Sequence, residues 1–144
     1  MKFNSQICTS REQSERLLAL GLKKETADMV LVPSSRHDGS DVIRVRKSYL
    51  MEEDAIPAWS LHRMWEFICN RKKYESKEGD EYPKIYLNDD CVIVENPKSI
   101  WASHNFCSLR GVYENVINCI EWLIKEGYFN KEYLQEQADS SREE

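Results

Sequence analysis

The strand-like runs of this chain come in pairs whose connections are too short for a crossover. Met29–Val32 and Asp41–Lys47 flank PSSRHDGS, and Lys84–Leu87 and Cys91–Glu95 flank Asn88-Asp89-Asp90. A parallel return needs a dozen or more residues, usually in a helix, so both pairs read as antiparallel hairpins. In VIRVRK, Ile43 and Val45 alternate with Arg44 and Arg46, which gives one apolar and one basic face. Asp38-Gly39 marks the tip of the first hairpin, Pro97 closes the second, and Ser99–Ser103 reads as a further edge strand.

Helical patterns fill the remainder. Thr9 with Glu12, and Ser10 with Gln13, both have the spacing of a capping box. The helix they open runs from Ser10 to Leu20 and buries Leu17, Leu18 and Leu20, with Gly21 as its stop. Lys24–Met29 adds one more turn. Ser60 caps a second helix on which Leu61, Met64, Trp65 and Ile68 form one apolar stripe. The charged stretch RKKYESKEGDEYP (71–83) then reads as a solvent-facing loop. The longest helix spans Val112–Glu126 and stops at Gly127, and a short one from Lys131 to Gln137 is capped by Asn130. The expected fold is α+β. It has an antiparallel sheet of about four to five strands from two hairpins, two main helices on one face, and short terminal helices. Residues 1–137 make one domain, and the polar end 138–144 is expected to be disordered.

Charge and cysteine usage restrict function. The net charge is −5, and −3 of it sits from Lys131 onward, so the rest of the chain is nearly neutral. That is no electrostatic footprint for nucleic acid. Five cysteines (Cys8, Cys69, Cys91, Cys107, Cys119) cannot all pair within one chain, and no CxxC occurs. MKFNSQICTS lacks the apolar run of a signal peptide, and no apolar run approaches a membrane span. Reduced thiols in the cytoplasm are the expectation, with no cofactor and no membrane association.

Three stretches, QICTSREQSERLLALGLKKETADM (6–29), IPAWSLHRM (56–64) and YENVINCIEWLIKEGYFNKEYL (113–134), resemble a family of small proteins from gut anaerobic bacteria and their phages and mobile elements. The resemblance implies no activity. The chain departs from the family's usual pattern at Val30-Leu31-Val32, where relatives carry aromatic residues, and at Met64-Trp65, where they run on with aliphatic ones.

Several constellations carry potential chemistry. On the helix of AWSLHRMWEFIC, residues His62, Glu66 and Cys69 share one line, because spacings of four and three recur on one helical face. They are weak metal candidates, since HxxxE followed by Cys is not a zinc spacing. The plainer reading is a His–Glu pair on a polar rim. His104 and Cys107, in SHNFC before the long helix, make a loose thiol–imidazole candidate, while His37 lies at a hairpin tip. A metal-dependent or thiol enzyme around His62 or His104 is therefore the second alternative function. Nucleic-acid binding is the first alternative. It rests on Arg44, Arg46 and Lys47 on one strand and on Arg71-Lys72-Lys73 at a helix end, with Tyr49, Tyr74 and Trp59 for stacking. A basic triplet at a helix C-terminus is also favoured by the dipole alone.

The favoured reading is a non-catalytic module that contacts another protein or itself. On the long helix, Trp122 lies among polar residues, so it either packs under Tyr128, Phe129 or Tyr133, or anchors a partner. Trp59 and Trp101 are the other candidate anchors.

Overall fold

The computed structural model describes residues 6–33, 41–45, 55–71, 74–76, 79–81, 84–95 and 104–136. Helix α1 (Arg11–Ala19) starts at Ser10, and the expected capping box forms there. The Ser10 hydroxyl accepts from the Gln13 backbone N–H, and the Gln13 side chain accepts from the Ser10 N–H. The helix ends in a Schellman closure. Gly21, at φ 104, donates to the Leu18 carbonyl while Leu22 donates to that of Leu17. Lys24–Thr26 forms a single 3₁₀ turn.

The first sheet has the order β2-β1-β3, all antiparallel, with β1 (Met29–Pro33), β2 (Asp41–Val45) and β3 (Ile56–Ala58). Helix α2 (Leu61–Cys69) follows β3, and Ser60 caps it by accepting from the Arg63 N–H at 3.1 Å. The stretch expected to be a charged loop contains a two-stranded ribbon, β4 (Tyr74–Ser76) with β5 (Gly79–Glu81). The second sheet has the order β6-β7-β8, again antiparallel, with β6 (Lys84–Asn88), β7 (Cys91–Glu95) and β8 (His104–Phe106). Helix α3 (Val112–Glu126) closes at Gly127, whose φ of 81 only glycine adopts freely. A 3₁₀ turn at Lys131–Tyr133, with Asn130 accepting from the Glu132 N–H, replaces the longer helix expected there.

The α+β class thus holds, but one sheet of about four to five strands is replaced by two sheets of three. The central strand of each sheet takes its second partner from a short neighbouring segment, not from the other hairpin. β1 takes Ile56–Ala58, with Pro57 on an edge strand where a missing N–H is tolerated, and β7 takes His104–Phe106. The expected edge strand Ser99–Ser103 lies outside the described residues.

One main core joins α1, α2, α3 and β7 through Leu17, Met64, Phe67, Ile68, Val92, Val94 and the inner face of α3. The stripe read on α2 is displaced. Phe67 is fully buried while Trp65 and Leu61 are half-buried. Phe67 packs edge-on against Phe129 and against Tyr133, and the Arg63 guanidinium lies 5.0 Å above its ring. The chain after α3 returns to the turn after α1. Lys23 donates to the Tyr133 carbonyl at 2.9 Å, and Gln135 donates to that of Gly21 at 2.7 Å.

Candidate functional site

The rim of α2 does not gather a metal site. His62 points to solvent with 86% of its side chain exposed, and its Nε2 lies 3.7 Å from Glu66 Oε1. Glu66 is also approached by Arg63 at 3.6 Å, and Cys69 is exposed at the helix end. No group of three metal-ligating side chains converges among the described residues.

His104 and Cys107 are not partners either. His104 stands opposite Val94, and Phe106 opposite the buried Val92, so the imidazole is on the core side of β8. It lies 5.1 Å from the Trp122 ring. Cys107 follows Phe106, projects to the other face and is exposed. Its neighbour is Cys91. The nearby Cys107 thiol, then desolvation and the charges of Asp89 and Asp90, push the Cys91 thiol up to about 11.

The two candidate anchor tryptophans among the described residues differ. Trp59 is 0% exposed and cannot serve as a surface anchor. Its indole N–H donates to Thr26 Oγ1 at 3.0 Å, its backbone N–H donates to Thr9 Oγ1 at 3.0 Å, and its carbonyl accepts from the Thr9 N–H at 2.9 Å. Trp122 is half-buried and packs within the chain, stacked on Tyr128 at 5.8 Å and against His104. Its indole N–H is buried without a hydrogen-bond partner among the described residues. Trp101 lies outside the described residues.

Of the basic candidates, Arg44 is exposed on β2, whereas Arg46, Lys47, Lys72 and Lys73 lie outside the described residues. Arg71 is half-buried and donates from Nη1 to the Ile68 carbonyl at 2.8 Å, so it satisfies the last turn of α2.

Two features were missed by sequence reasoning. Arg16 on α1 reaches across to α3, donating to Glu114 Oε1 at 2.9 Å and to Asn118 Oδ1 at 2.6 Å. This network fixes the two helices together and occupies polar residues that the sequence leaves as a solvated face. The second is a cleft of about 540 Å³ lined by Gln6–Arg11, Gln13, Leu31 and Ile43. Cys8 and Leu31 are buried there, while Ile7 and Ile43 remain 60% and 41% exposed. Burial, and then the Asp28 charge, push the Cys8 thiol above its ordinary range. Leu87, Tyr86 and Leu109 are also exposed, and Ile7 and Ile43 share one concavity. A sequence signal existed only for Ile43, as the apolar face of VIRVRK.

No helix among the described residues is long and apolar enough to cross a membrane. No protein-family model, no curated protein and no solved structure matches the chain.

Proposed function

We propose that this chain is a cytosolic interaction module, acting by contact with another protein or with a second copy of itself, and that Ile7 and Ile43 are its contact surface. The observation that carries the reading is their joint exposure at the mouth of the cleft between the start of α1 and β2. Single exposed apolar residues are ordinary on a soluble protein, whereas two that share a concavity mark a place where burial yields affinity. The concavity has the size of an ordinary ligand or peptide-side-chain pocket, and its lining mixes the buried apolar Cys8 and Leu31 with the buried Thr9 and with polar side chains such as Gln13. β2 is the outer strand of its sheet among the described residues, which suits addition of an extended segment beside Ile43. A mobile-element origin, implied by the family resemblance, fits a small protein that modulates a host factor.

The test is affinity capture from a native lysate with nuclease treatment, run with sedimentation velocity of the purified chain. Wild type is compared with an Ile7→Glu, Ile43→Glu double variant whose melting temperature is unchanged. A stoichiometric protein partner, or a concentration-dependent dimer, that disappears in the variant supports the reading. Capture that vanishes with nuclease in both transfers the function to nucleic acid and Arg44. Capture or dimerisation equal in both removes Ile7 and Ile43 from the interface.

A further inference from the structure

Cys91 opens β7 and Cys107 directly follows β8, at the same end of their shared ladder. The ladder between β7 and β8 pairs Val92 with Phe106, Ile93 with Asn105 and Val94 with His104; the same register carried one residue past its last pair sets Cys107 opposite Cys91. Directly opposite residues in an antiparallel pair have Cα atoms about 4.5–5.5 Å apart. Disulfides span about 4.4–6.8 Å between Cα atoms, so the rung suits one. Cys107 is exposed and Cys91 half-buried, so a reagent reaches Cys107 first.

Asn115 holds this rung in place. It is 0% exposed, and its Nδ2 donates to the Asp90 carbonyl at 2.7 Å and to the Ser108 carbonyl at 3.3 Å, while its Oδ1 accepts from the Ser108 N–H at 2.6 Å. Asp90 immediately precedes Cys91 and Ser108 immediately follows Cys107. Where the ladder ends, a buried side chain from α3 therefore ties the backbone beside Cys91 to the backbone beside Cys107.

We propose that Cys91 and Cys107 form a modification site, a dithiol that a low-molecular-weight disulfide such as oxidised glutathione converts to a cross-strand disulfide. The Cys107 thiolate attacks one glutathione sulfur. The S–S bond of the reagent breaks, one glutathione thiolate leaves, and a mixed disulfide remains on Cys107. Cys91 then loses its proton to solvent, and its thiolate attacks the Cys107 sulfur and displaces the second glutathione thiolate. The protein gives up two electrons to the reagent, and the two released thiolates take up the two protons. The closing step needs the Cys91 thiolate, so it speeds up as pH rises.

The fully reduced chain is incubated with oxidised glutathione, quenched in acid, alkylated and mapped by mass spectrometry. The expected product has lost two hydrogens, its free thiols fall from five to three, and Cys91 and Cys107 occur in one linked peptide. Cys69→Ser leaves this unchanged, and Cys107→Ser abolishes the link. An Asn115→Ser variant that retains its fold accumulates the mixed disulfide and closes several-fold more slowly. Glutathione adducts on Cys107 that Cys91 never displaces, or thiol loss confined to Cys69, overturn the proposal. If Asn115→Ser does not fold, the wild-type and Cys107→Ser arms decide it.

Discussion

Trp59 and Trp122 belong to the same core and are treated in opposite ways. Around Trp59 the polar groups are closed on themselves. Its indole N–H reaches Thr26, Thr26 donates onward to the Lys23 carbonyl at 2.6 Å, and Thr9 and Ser14 share a further hydrogen bond at 2.8 Å. Around Trp122 the rings of His104 and Tyr128 supply contact area, but the indole N–H is left without a partner among the described residues. An unpaired buried donor costs about 1–3 kcal/mol, and Trp122 is only half-buried where Trp59 is fully buried, so the α3 side yields less stability. The junction of α1, β1 and β3 is therefore the rigid half, and it supports the cleft of Ile7 and Ile43.

The largest effect that checks this contrast is Trp59→Ala, expected to destabilise the chain by about 3–5 kcal/mol in urea denaturation. A loss near 1 kcal/mol would show that the Trp59 region is not the rigid half. A matched pair sharpens it. Trp59→Phe removes a satisfied N–H and is expected to cost about 1–3 kcal/mol, while Trp122→Phe removes an unsatisfied one and stays within about 1 kcal/mol of wild type. Equal costs would break the comparison. Thr26→Val should make Trp59 resemble Trp122 by orphaning its indole N–H, at about 1–3 kcal/mol.

The smallest effect at neutral pH concerns the buried thiols. Burial pushes Cys119 on α3 from 9.0 up to about 12. The unfolded chain ionises this thiol above pH 9 while the folded chain keeps it protonated, so its contribution is whole below pH 9 and is lost as pH rises toward 12. Cys119→Ala is expected to flatten the decline of stability above pH 9 and to leave its slope near pH 7 unchanged. An unaltered alkaline decline would mean that the thiol is not buried as described.

Much of the local structure was legible because local chemistry decides it. The Ser10–Gln13 capping box, the Ser60 cap, both hairpins and the Val112–Glu126 helix with its Gly127 stop all follow from spacing and from glycine's freedom at positive φ. What was not legible depends on partners distant in the chain. On α2, apolar residues at 61, 64, 65, 67 and 68 permit more than one buried stripe, and Phe129 with Tyr133 selects the one through Phe67. Asn115 reads as a polar-face residue until Asp90 and Ser108 are brought to it. The opposition of Cys91 and Cys107 exists only once His104–Phe106 is known to be a strand and its register is set. The candidate sites fared worse than the elements, because a line of His62, Glu66 and Cys69 on a helix says nothing about which side chains face water. The cleft had almost no sequence signal, since Ile7 belongs to no periodic element.

The most direct measurement is site-specific photocrosslinking in living cells of the native host. A photoreactive amino acid replaces Ile43 in one variant and the fully exposed Leu109 in another. The account predicts a discrete crosslinked protein, or a crosslinked dimer of the chain, from position 43 and none from position 109. Equal crosslinking from both positions, or a discrete product from 109 alone, would contradict it.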